Sequence, residues 1–149
     1  MRKFYTILLA SITPCFFLNA YAQKKPIEVE IHAENTGGEY PVIKGETNLP
    51  ENMILMITIS SPDGDIMGQS KTSVHNHLFS SERFSYMGAP YNHGNYMVNI
   101  LSPFAPIQDE SVQKVIGTHG EWMRGSVVEN ASVGDAGRIV SYNFPFHVN

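Results

Sequence analysis

The chain has 149 residues, with 14 acidic and 10 basic side chains, six histidines and a single cysteine, a length suited to one domain that buries roughly two-thirds of its unfolded surface. The net charge of −4 falls to −6 if Arg2 and Lys3 are removed, leaving eight basic against 14 acidic side chains, a balance that disfavours nucleic acid and anionic membranes as partners. A lone cysteine excludes an internal disulfide and a multi-thiolate metal centre.

The chain opens as an export signal. Arg2 and Lys3 form a positive start, Phe4 to Leu18 is largely apolar and uncharged, and Ala20-Tyr21-Ala22 offers small residues where a signal peptidase cuts. Residues 1–22 are therefore expected to be a signal peptide, with the mature chain starting at Gln23 and residing in the periplasm or outside the cell. The apolar run is short for a full membrane span and no second one follows, so no membrane insertion is expected once the signal is removed. A lipid-anchored form would use Cys15, but Pro14 directly before it is a poor residue for that cleavage. Cleavage at Ala22 removes Cys15, and with it any thiolate nucleophile.

Residues 23–149 read as one domain of short strands and turns. Ile27 to Ala33 alternates apolar and polar, the pattern of a half-buried strand. Asn35 to Gly38 turns the chain; Tyr40 to Thr47 reads as a strand, Asn48 to Asn52 as a break, and Met53 to Ser60 as a strand. The turn Ser61-Pro62-Asp63-Gly64-Asp65 leads to an extended run over Ile66 to Val74, and Asn76-His77 reverses it. Leu78 to Ser85 follows as a strand, Met87 to Gly94 as a loop, and Tyr96 to Ile100 as the cleanest alternation in the chain. Val112, Val115 and Ile116, with acids before them and Gly117 after, predict about two turns of helix near 109–116. Trp122 to Glu129 and Arg138 to Val148 close the chain as strands around the Gly134 to Gly137 turn, with Val140, Tyr142, Phe144, Phe146 and Val148 on one face.

About eight short strands with no long amphipathic helix predict an all-β domain, an antiparallel sandwich. Two segments resemble fibronectin-III and related bacterial immunoglobulin-like modules. These are the break Gly45-Glu46-Thr47-Asn48-Leu49-Pro50 and the tyrosine-led strand Asn92-His93-Gly94-Asn95-Tyr96-Met97-Val98-Asn99-Ile100. The resemblance covers about half of the mature chain and implies a sandwich that presents loops to a partner. About 45 residues follow the tyrosine strand where a simple module needs one more strand, so an added hairpin and short helix are expected. The paired cysteines of antibody-type domains are absent.

Several constellations carry residue types capable of chemistry. Ser111-Val112-Gln113-Lys114 matches S-x-x-K, but the companion motifs are missing, and chance composition accounts for it. His75 and His77 are spaced to share a strand face, and with His93 or Glu82 could ligate zinc or copper; the plainer reading is a solvated hairpin tip. His32, His119 and His147 read as surface residues, and Trp122 as core in preference to contact. Asp63 with Asp65 and Asp109 with Glu110 read as turn and helix-start residues, since no calcium loop is completed. No metal or other cofactor is expected.

The strongest lead is the loop from Tyr86 to His93. Tyr86, Met87, Tyr91 and His93 crowd a segment whose composition suits a contact surface; the competing reading has Tyr86 and Tyr91 sealing the core. The expectation is a non-enzymatic exported module that binds a protein or glycan partner through sandwich-end loops. The alternatives are an inhibitor or immunity-like protein that plugs a partner enzyme and, more weakly, a periplasmic metal-binding protein or a small hydrolase without a recognisable motif.

Overall fold

The computed structural model describes residues 24–149, so the expected signal peptide, its cleavage site and Cys15 lie outside the described residues. The described chain forms ten strands: β1 (Ile27–Glu28), β2 (Ile31–Asn35), β3 (Ile43–Thr47), β4 (Ile54–Ser60), β5 (Ile66–Ser73), β6 (Leu78–Ser80), β7 (Gly94–Leu101), β8 (Met123–Arg124), β9 (Val128–Asn130) and β10 (Arg138–Val148). A 3₁₀ turn at Ala105–Ile107 and a helix, α1 (Glu110–Ile116), lie between β7 and β8. Five strands form an antiparallel sheet in the order β5-β4-β7-β10-β9, three form a second in the order β2-β3-β6, and β1 pairs with β8 in parallel.

Period-two alternation decides which face each long strand buries. In β4 Leu55, Ile57 and Ile59 are buried, and Ile57 and Ile59 stand opposite Ile100 and Val98 of β7. Tyr142, Phe144 and Phe146 of β10 continue that face opposite Ile100, Val98 and Tyr96. Ile31 and Ile43 from the three-stranded sheet enter the same hydrophobic cluster, as do Met53, Val112, Ile116 and Met123 from the segments at one end. The helix expected near 109–116 is present. It buries Val112 and Ile116 and ends at Gly117, whose φ of 96° suits a residue without a Cβ.

Ten strands replace the eight expected because two expected strands change partner midway. In the Ile27–Ala33 run, Ile27 and Val29 donate to the carbonyls of Trp122 and Arg124, whereas β2 pairs with β3. The Asn48 side chain fills the gap between them, donating to the Glu28 carbonyl and accepting the Glu30 N–H. The Trp122–Glu129 run breaks at Gly125, where φ is 122°. The strand expected to reach Ser85 ends at Ser80. Trp122 is only half-buried, with the Lys24 ammonium 4.0 Å from its ring centroid, so it is less enclosed than a core residue.

A second amide substitutes for backbone at the end of β4. Ile54 donates to Gln108 Oε1 at 2.8 Å and accepts from Gln108 Nε2 at 3.1 Å, so one side chain extends the ladder where β7 stops. The segment 102–137 thereby closes one end of the molecule. The loop between β6 and β7 lies at the other.

Candidate functional site

Residues 81–93 connect β6 to β7 and are pinned at both feet. Phe84 donates its N–H to the Pro41 carbonyl at 2.8 Å, and Tyr91 donates to that of Glu39 at 2.7 Å. Both side chains are buried and meet over Gly68, where an added Cβ would stand 2.7 Å from Phe84 Cδ1 and 2.9 Å from the Tyr91 hydroxyl. Tyr96 completes this corner. Its hydroxyl donates to the Asn92 carbonyl at 3.0 Å, and its ring stacks on Phe146 at 5.4 Å.

Between the feet the chain makes a tight reversal in which Tyr86 and Ala89 exchange both backbone hydrogen bonds, at 2.9 and 3.0 Å. Met87 and Gly88 occupy its centre with φ of 53° and 82°, the sign pattern of a type I′ turn, which selects Asn, Asp or Gly. Methionine there carries a steric cost that those residues avoid. It is also 91% exposed, and Tyr86 beside it is 44% exposed. Near the first foot, the Arg83 guanidinium lies 4.0 Å from the Tyr40 ring centroid.

The four expected contact residues therefore divide. Tyr86, Met87 and His93 face solvent, but Tyr91 does not: it is 2% exposed and its ring lies 5.1 Å from that of Tyr96. Burial, with the neighbouring Tyr96 hydroxyl adding to it, pushes the Tyr91 hydroxyl up to about 12, and this buried oxygen has no hydrogen-bond partner among the described residues. Tyr91 thus seals the core as Phe84 does. The placement of these two aromatics at matching positions on either side of a Gly/Pro-containing tip was the sequence signal for two buried feet.

The histidines do not converge. His75 pairs with Glu51, its Nδ1 lying 2.9 Å from Oε1, while His77 lines a shallow depression with His32 and Glu46. Asn76 and His77, with φ of 52° and 65°, form the hairpin tip. Among the described residues no three His, Cys, Asp or Glu side chains are grouped to hold a metal ion. His147 bonds Asn95 through Nδ1 at 2.8 Å, and His119 lies beside Thr118, its N–H donating to Glu121. In the S-x-x-K segment Lys114 pairs with Glu110 at 2.8 Å. Asp65 serves the turn after Ser61 through its backbone.

Compared with known proteins, the chain matches no family model, no curated protein and no solved structure.

Proposed function

We propose that this chain is an exported, fibronectin-III-like or immunoglobulin-like sandwich that binds a protein partner through the tip formed by Tyr86 and Met87. The strand orders β2-β3-β6 and β5-β4-β7-β10 support the fold reading. A seven-strand Greek-key sandwich whose fourth strand pairs within the second sheet, with residues 102–137 inserted before the last, would have these orders. The Tyr96 hydroxyl bonded back to Asn92, four residues upstream at the start of β7, fits the tyrosine corner of such domains.

Met87 carries the binding reading. An exposed methionine in a backbone conformation that asparagine or glycine would adopt at lower cost is better accounted for by what it touches than by the turn it occupies. The pinned feet also reduce the ordering cost of binding. The same convex tip suits a protein that plugs a partner enzyme, a reading separated by whether the captured partner loses activity.

The test uses Met87→Asn and Met87→Gly in the mature protein, with capture from native cell-envelope extract as the readout. Both variants should retain or raise Tm, because each residue accepts positive φ, while capture weakens at least tenfold, about 1.4 kcal/mol. Unaltered capture by the folded variants would remove the tip from the interface. A parallel glycan array identifies a carbohydrate partner, if that is what Tyr86 meets.

A further inference from the structure

At the end of β5 remote from the loop, about 17 Å along the strand from Gly68 at its usual rise, three side chains form a continuous hydrogen-bonded chain. Ser73 Oγ lies 3.1 Å from His75 Nε2, and His75 Nδ1 lies 2.9 Å from Glu51 Oε1. The second carboxylate oxygen, Glu51 Oε2, accepts the Asn76 backbone N–H at 2.8 Å.

The local sequence explains the alignment. Ser73 and His75 are two apart on extended chain and share a face, while Val74 between them is buried. Backbone bonds from Val74 to the Met53 carbonyl and from Asn52 to the Val74 carbonyl tie this segment to the 50–53 turn that carries Glu51. Positive φ at Asn76 and His77 then folds the hairpin so that the Asn76 N–H meets the carboxylate.

We propose that Ser73, His75 and Glu51 act as a nucleophile, a general base and a positioning carboxylate that hydrolyse small activated carboxylic esters. The order of contacts, hydroxyl to one ring nitrogen and carboxylate to the other, is that of the serine–histidine–acid triads, which are recognised by geometry and not by chain position. The His75 and Glu51 side chains are 61% and 55% exposed, so substrate can reach them. Ser73 and His75 border a shallow depression of about 510 Å³ whose wall includes the exposed Leu78, apolar surface for an acyl group. The hydrogen bond from His75 and that from the Asn76 N–H hold the Glu51 carboxyl below its ordinary range, so it remains ionised at neutral pH.

In the reaction the Ser73 Oγ attacks the ester carbonyl carbon while its proton passes to His75 Nε2, and Glu51 stabilises the imidazolium through Nδ1–H. The bond to the leaving alcohol breaks and the alcohol takes the proton from Nε2, leaving Ser73 acylated. Water then attacks the acyl group, its proton passing to Nε2 and on to Ser73 Oγ as the acid departs. Ester and water yield acid and alcohol, and the three side chains return to their starting state.

The experiment treats the purified mature protein with a fluorophosphonate probe, whose fluoride the Ser73 Oγ would displace, and maps the modified peptide by mass spectrometry; p-nitrophenyl acetate hydrolysis is followed in parallel. Label is expected on Ser73 and should vanish in Ser73→Ala. His75→Gln should slow both reactions at least tenfold, within the range of general-base loss. Glu51→Gln should slow labelling at least tenfold at one fixed pH, with Glu51→Asp restoring part of the rate, because the His75 ring loses the carboxylate that orients it. An unlabelled Ser73 in the wild-type protein, or an equal labelling rate in folded His75→Gln, would overturn the proposal and reduce the three residues to a clip between two turns.

Discussion

The Tyr91 hydroxyl is buried with no hydrogen-bond partner among the described residues. Deleting such a group removes a desolvation penalty that runs to about 1–3 kcal/mol, so Tyr91→Phe is expected to leave the fold intact and to hold or raise Tm in a thermal melt. The same residue sets an alkaline limit. Its folded-state value near 12 lies above the ordinary value of 10.0, so the native state retains a proton that the unfolded chain gives up. Below pH 10 its titration costs no stability; as the pH rises from about 10 to 12 stability falls, and that loss should be missing from the alkaline arm of a Tyr91→Phe stability profile. Gln108 shows the opposite arrangement: the residue is 3% exposed and both ends of its amide are bonded to Ile54. Gln108→Glu retains an acceptor but loses the donor to the Ile54 carbonyl. Urea denaturation should register a loss of about 2 kcal/mol or more.

Among the elements, β3 depends on a residue that cannot grow. Gly45 sits opposite Phe79 of β6, and an added Cβ would overlap the Phe79 ring and the His32 carbonyl of β2. Gly45→Ala should therefore separate strands and cost about 1–3 kcal/mol by chemical denaturation, the range for overpacking. Tyr96 and the pinned loop show the complementary case, in which buried aromatics leave the short turn between them free to vary. Substitution at Met87 and at Tyr91 should consequently separate: the first is expected to alter capture, the second stability.

For the whole molecule, the described core draws on both larger sheets and on α1 and β8 of the segment between β7 and β10. That core has to stabilise the described chain without a disulfide, because the one cysteine, Cys15, lies outside it. With no cluster of metal-ligating side chains among the described residues, the melting temperature of the mature protein should be unchanged when a chelator such as EDTA is added. A fall of several degrees, abolished by His75→Ala with His77→Ala, would identify a structural ion.

What the sequence determined by itself follows from short-range rules. Alternation in Met53–Ser60, Tyr96–Ile100 and Arg138–Val148 assigns the inward faces, and the Val112 and Ile116 spacing with Gly117 yields the helix, because pleat and helical period are properties of neighbouring residues. The reading of export rests on residues 1–22 alone. Pairing was decided only by the tertiary structure: the same period-two run at Ile27–Ala33 serves one strand or two, since periodicity chooses a face but not a partner. Tyr91 could be read as contact or seal until Gly68 was brought beneath it. Glu51 stands 24 residues before its partner His75, a separation no local pattern spans; the Ser73–His75–Glu51 chain exists because β4 and β5 pair antiparallel, which brings the turn preceding one beside the hairpin following the other.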